Sequence, residues 1–219
     1  MNENIKISAV IELNASEFTE KEYKYPDGSR YEFPTGWELY WKNSLKDSGL
    51  IKVEQIFPGF PFVEITRIEE DELKIIVETQ LKDTNLENED EIISFEGGIV
   101  IQVDNDRIVP QCCTSISDYK GLLDIINKKP SEWTQIWIGH PWIFARIKDD
   151  LIEFSDYCEL NEYSGLAKTT INFEAFKNEF EKVLTGIEGF KKSVENILNC
   201  KNLEKYERIS EILIENNAE

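Results

Sequence analysis

From residue 173 onward apolar side chains return every three or four positions. Phe173, Phe176, Phe180, Val183 and Leu184 form one stripe, and Phe190, Val194, Ile197 and Leu198 a second. Leu203, Tyr206, Ser210 and Leu213 form a third, flanked by Ile209 and Ile212. This is the period of an amphipathic helix, and a strand, whose side chains alternate with period two, has no use for it. Gly186 and Gly189 punctuate the first junction and residues 199–202 the second, so the C-terminal third is expected to fold as successive helices.

The chain before this point reads as strands. Residues 5–13, 37–42, 51–57, 62–68, 73–81 and 91–103 are rich in β-branched and aromatic side chains and are separated by turn or acidic clusters. Pro26-Asp27-Gly28, Pro34-Thr35-Gly36 and Pro58-Gly59 are turn signals, and Gly97-Gly98 inside a strand pattern reads as a bulge. After Pro110 one helix is expected. Ser117 caps it, Tyr119, Leu122, Leu123 and Ile126 recur along it up to Asn127, and Gly121 weakens it by up to ~1 kcal/mol. Short strands follow at 134–138, 142–148 and 151–154, the last two joined as a tight hairpin over Asp149-Asp150. The expected fold is α+β: an antiparallel β-meander-rich body over residues 1–165 with one internal helix. The C-terminal helices, 166–219, pack on it as part of the same folding unit.

Of the 219 residues, 43 are acidic and 24 basic, a formal net charge of −19. Such a surface repels nucleic acid and anionic membranes and favours a basic macromolecule as partner. No apolar run reaches the length of a membrane span, and the first residues lack the basic and apolar regions of a secretory signal, so a cytoplasmic protein is expected. The acid is concentrated: residues 69–106 hold 13 acids and 2 bases. Glu69, Glu70, Asp71 and Glu72 sit between two strand candidates, and Asp104 and Asp106 follow another. In a meander alternate turns share one end of the sheet, so these tips are expected to converge, with the cluster at 85–91 at the opposite end. Charged loop tips also serve simply to keep sheet edges from pairing.

Residues 110–158 hold three of the four cysteines, the single histidine, His140, and three of the five tryptophans, Trp133, Trp137 and Trp142. Cys112 or Cys113 with His140 is the one arrangement that suggests a cysteine nucleophile activated by an imidazole. A nucleophile also needs an orienting group and oxyanion donors, and no local motif supplies them. Adjacent cysteines on an extended backbone point to opposite faces, so at most one shares a site with His140. The simpler expectation is that they pack as small apolar side chains and that His140 pins a turn. Zinc ligands come in closely spaced pairs, and the cysteine and histidine spacings here do not fit them. Asp104-x-Asp106 does not continue as a calcium loop. No cofactor, metal or catalytic residue is therefore expected.

Four segments together carry a resemblance: Ile108-Val109-Pro110-Gln111-Cys112-Cys113, then Ser117-Asp118-Tyr119, then Trp137-Ile138-Gly139-His140-Pro141-Trp142, and a hairpin ending Phe154-Ser155-Asp156. The stretch resembles bacterial immunity proteins that accompany polymorphic or contact-dependent toxins. It departs from them at Gln111, where glycine is expected, at Tyr119 in place of tryptophan, and in a shorter interval from His140 to Trp142. The resemblance implies a non-enzymatic cytoplasmic protein that neutralises a cognate toxin by binding it. A basic, nuclease-type toxin suits the acidic charge. The contact residues expected on this reading are Glu69, Glu70, Asp71, Glu72, Asp104 and Asp106, with Asp149, Asp150 and Trp142 as secondary contacts. The alternatives are a small cysteine-dependent hydrolase using Cys112 or Cys113 with His140, and a scaffold or regulatory module.

Overall fold

Among the described residues eight strands and five α-helices follow one another along the chain, which is α+β with two antiparallel sheets. The computed structural model describes residues 5–201, 203 and 205–215. These fall into two compact units, each assembled from two stretches of chain. The first takes residues up to 9 together with 96–187; the second takes 10–95 together with those from 188 onward.

In the first unit β3 (Gly97–Val103) and β4 (Asp106–Ile108) form a hairpin, with Val103 opposite Asp106. They belong to a sheet of order β2-β1-β3-β4, where β1 is Ile5–Glu12 and β2 is Phe62–Glu64. The second sheet is a meander in chain order: β5 (Thr134–Ile136), β6 (Ile143–Lys148), β7 (Leu151–Phe154) and β8 (Thr169–Asn172). Alternation along β6 and β7 buries Ile143, Ala145, Ile152 and Phe154. The ring of Phe154 lies 5.6 Å from that of Phe176, which stacks on Phe180. A 3-10 turn, Ile116–Asp118, leads into the helix α3 (Tyr119–Lys128), and it is this turn that is capped, by Ser115, not Ser117, pairing reciprocally with Asp118.

Two expected strands are helices. α1 (Pro34–Asp47) contains 37–42, and α2 (Glu70–Gln80) contains nearly all of 73–81. In α1 the buried face is Trp41, Ser44 and Leu45, with Pro34 in the first turn, a position proline suits. In α2 the buried set is Glu72, Leu73, Ile76 and Val77, at helical spacing, and three acids occupy the first turn, where the helix dipole favours them. The β-branched run in 73–81 suggests a strand only while that first-turn signal is ignored. Residues 51–57 form no strand, and Gln55 makes only an isolated bridge to Val63. Because residues 69–72 begin a helix, the meander argument for convergence with Asp104 and Asp106 loses its premise.

The helix α4 (Phe173–Cys200) runs unbroken through both glycines, and α5 (Tyr206–Glu215) follows. Phe173, Phe176, Phe180, Val183, Ile187, Phe190, Val194 and Ile197 keep the same three-four spacing across Gly186 and Gly189 and are all buried. Burial of one continuous stripe outweighs the roughly 1 kcal/mol that each glycine costs. In the second unit Phe95 donates its amide to the Leu213 carbonyl at 2.8 Å, and its ring meets Phe190 at 5.8 Å.

Gly189 is exposed, and a Cβ built there meets nothing within 4 Å. Gly189→Ala is expected to raise stability by about 1 kcal/mol through helix propensity alone, read as a higher urea midpoint with unchanged slope.

Candidate functional site

The acidic residues at the start of α2 have different fates. Glu72 is 2 % exposed. Its Oε1 accepts the backbone N–H of Ile51 at 2.9 Å, Lys52 at 2.6 Å and Val53 at 3.3 Å. It therefore holds the segment entering β2 against α2 and is not a surface contact, which corrects the expectation for this residue. Glu69, Glu70 and Asp71 are exposed. Lys52 reaches Glu69 at 2.6 Å and Asp71 at 3.2 Å, and these two bonds, Glu69 first, push the lysine up to about 12. The same lysine draws the Asp71 carboxyl below its ordinary range. An open cleft of about 600 Å³ lies beside them, lined by the three carboxylates together with Lys74 and Lys201. Its charge is mixed, because Lys52, Lys74 and Lys201 dilute the acids.

The acidic pairs of the first unit are turn residues. Asp104 has φ 50° at the tip between Val103 and Asp106, whose pairing closes β3 onto β4. Asp149 and Asp150 have φ 49° and 61° between Lys148 and Leu151, the pattern of a type I′ hairpin. Aspartate tolerates this left-handed backbone better than most residues, so all three have a conformational reason to be where they are. Asp104, Asp106, Asp149 and Asp150 are exposed.

In the loop after α2, residues 83–91 hold five acids, Asp83, Glu87, Glu89, Asp90 and Glu91, and no base, with Lys82 just before them. Glu91 organises that loop, accepting from the Asn85 amide at 3.3 Å and from Asn88 Nδ2 at 2.9 Å. Glu89 pairs with Arg208 at 2.9 Å. Asp83, Glu87 and Asp90 are exposed and have no cation partner among the described residues. Ile93, 69 % exposed, adjoins them in sequence. The sequence signal for this loop is the run of acids itself; its expected place at one end of a meander loses its premise because α2 replaces the strand before it.

Cys112 and Cys113 are both exposed free thiols, not packed apolar side chains. Residues 111–113 are held by 137–140. Gln111 donates its amide to the Ile138 carbonyl at 2.7 Å, and His140 donates its own to the Cys112 carbonyl at 3.2 Å. Gly139 is required here: at φ 98° a Cβ would stand 2.3 Å from the Cys112 oxygen. His140 thus pins the turn through its backbone. Its ring lies edge-on to Trp137 at 5.2 Å and meets Trp142 at 4.9 Å. The Cys112 thiol donates to the His140 carbonyl at 3.5 Å, a contact with the backbone and not with the imidazole. Trp142 is half-buried and gives its indole N–H to the Leu160 carbonyl at 3.0 Å, so the fold already employs this expected contact. Cys113 has φ 65°, so the two cysteines do not share the extended backbone that sends neighbours to opposite faces. Among the described residues no group of three or more histidine, cysteine, aspartate or glutamate side chains is placed to hold a metal, and no helix is long and apolar enough to cross a membrane.

Glu72→Ala is expected to cost about 2–3 kcal/mol by stranding the amides of residues 51–53, measured as a lower urea midpoint. Glu70→Ala, on the same helix turn but exposed, is expected to stay within about 0.5 kcal/mol of the parent.

The chain matches no family model, no curated protein and no solved structure.

Proposed function

We propose that the protein is an immunity protein, acting in the cytoplasm of the cell that makes it by binding and neutralising a basic toxin of the nuclease type. The supporting observation is the acid-rich segment 69–106. Eleven of its 13 acids are exposed, one is half-buried, and Glu72 alone is buried. Within it, the loop carrying Asp83, Glu87 and Asp90 supports the reading best. These carboxylates lack local cation partners among the described residues. Their mutual repulsion and the net charge of −19 cost folding stability.

A basic partner relieves that repulsion. Its lysines and arginines gain partners, and the field of the loop speeds encounter. Ile93, exposed beside the carboxylates, supplies an apolar contact that water leaves on association. A nuclease cleft shaped for phosphates is the kind of basic surface this loop suits, because carboxylates spaced along a loop present negative charge as a nucleic-acid strand does. Glu69, Glu70 and Asp71 contribute less, since Lys52 already offsets two of them.

The neighbouring gene is expected to encode a large toxin, and co-expression with it is expected to restore growth and to yield a stable complex on size exclusion. Failure of both would overturn the reading. The combined variant Asp83→Asn, Glu87→Gln and Asp90→Asn is expected to weaken binding at low salt by about tenfold or more, roughly 1.4 kcal/mol. It should also flatten the salt dependence. Neutralising Glu69, Glu70 and Asp71 together is expected to do less, as titration calorimetry at two ionic strengths would read.

A further inference from the structure

The second unit holds a small cleft away from the acidic loop. Tyr25, Trp37 and Tyr40 form its aromatic wall, with ring centroids 5.0 Å apart for Tyr25 and Tyr40, 6.2 Å for Tyr25 and Trp37, and 5.9 Å for Trp37 and Tyr40. Asn14, Gln55 and Arg30 also line this recess, whose volume is about 60 Å³. The Arg30 guanidinium stands 5.4 Å from the centre of the Trp37 ring, within cation–π reach. The segment that carries Arg30 is held from two sides. Trp37 donates its indole N–H to the Gly28 carbonyl at 3.0 Å, and the Tyr31 ring meets Phe60 edge-on at 5.5 Å. Gly59 packs against the same segment: at φ 84° a Cβ there would stand 3.0 Å from the Pro34 Cα and 3.3 Å from the Arg30 carbonyl oxygen. The guanidinium thus extends from anchored backbone over an aromatic plate, so less freedom is lost when a ligand engages it.

The side-chain groups left unused at this cleft are donors. Asn14 Oδ1 already accepts the Ser16 amide at 3.4 Å and its hydroxyl at 3.0 Å, and Gln55 Oε1 accepts the Gly59 amide at 3.0 Å. The amide nitrogens of Asn14 and Gln55 have no partner among the described residues. The lysines nearest in sequence are neutralised, Lys21 by Asp47, Lys24 by Asp27 and Lys42 by Glu38. Glu32, two positions from Arg30, instead accepts the Ser29 amide at 3.0 Å and its hydroxyl at 2.9 Å. Among the described residues Arg30 has no carboxylate partner, in a chain where acids outnumber bases by 43 to 24.

We propose that this cleft binds a small aryl carboxylate. The carboxylate enters the recess, where one charged donor and two amide donors meet a group that has acceptors only. A recess of this size takes a head group of a few atoms and not a whole ring. The ring of the ligand therefore stays at the mouth, against the face of Tyr25, which is 60 % exposed. A cationic ligand is disfavoured because Arg30 already occupies the Trp37 face, and a neutral one forgoes the ion pair. The net charge of −19 opposes an anion at long range, so the local donors and the aromatic contact together supply the affinity.

The test uses the full chain and does not depend on any protein partner. Phenylacetate is titrated in and followed by nitrogen–proton NMR at the Trp37 indole N–H, a resonance that Trp37→Phe identifies by its loss. A saturable shift is expected. Phenylacetamide, which keeps the ring without the charge, and acetate, which keeps the charge without the ring, should each bind at least about tenfold more weakly. Arg30→Gln, at an exposed and unpaired position, should keep the parent's urea midpoint and weaken phenylacetate by about tenfold or more. Gln55→Glu retains an acceptor for the Gly59 amide but replaces the free donor with a repelling oxygen, and should weaken it at least as much. A shift that does not saturate, equal affinity for phenylacetate and either control compound, or parental affinity in Arg30→Gln would each overturn the proposal.

Discussion

A single buried carboxylate organises the acidic half of the second unit. Glu72 accepts three consecutive amides, those of Ile51, Lys52 and Val53, and so locks the approach to β2 onto the first turn of α2. Backbone that runs without a strand ladder needs its N–H groups satisfied in some other way, and the carboxylate does this at one point. The same capture delivers the Lys52 side chain to Glu69 and Asp71. One side chain thus fixes the start of a helix, the course of a loop and the local charge balance.

The net charge therefore has at least three physical roles. Part of it is structural, as at Glu72, or satisfies a dipole and a lysine, as at Glu69 and Asp71. Part of it sits in hairpin turns whose left-handed backbone suits aspartate, as at Asp104, Asp149 and Asp150. What is left, at Glu87 and Asp90, has none of these roles and stands exposed, while Asp83 of the same loop also occupies a left-handed turn, at φ 62°. Charge that the fold does not use, and that weakens it by repulsion, is the part available to a partner.

Legibility in the sequence followed the range of the interactions. The strands β1, β6 and β7 and the turn at Asp149-Asp150 were readable because alternation and turn chemistry are local. The helices α1 and α2 were not, because aromatic and β-branched side chains favour strands until a buried face at helical spacing decides otherwise; the acids opening α2 were the overlooked signal. β8 carries only four residues and escaped notice. Gly186 and Gly189 suggested a break that the continuous apolar stripe overrides. The candidate contacts were partly legible: acidity marked the right stretch of chain, but nothing local distinguishes the buried Glu72 from the exposed Glu70 two positions before it. The paired thiols were visible as residues, whereas their exposure depends on anchors more than twenty positions away, at 137–140.

Hydrogen–deuterium exchange on the full chain, alone and with the basic partner proposed above, addresses the central claim most directly. Binding through the unpaired acids predicts slower exchange in peptides spanning 83–96, with little change in those spanning 111–113 and 137–142. Protection confined to 111–113 and 137–142, with 83–96 unaltered, would contradict it.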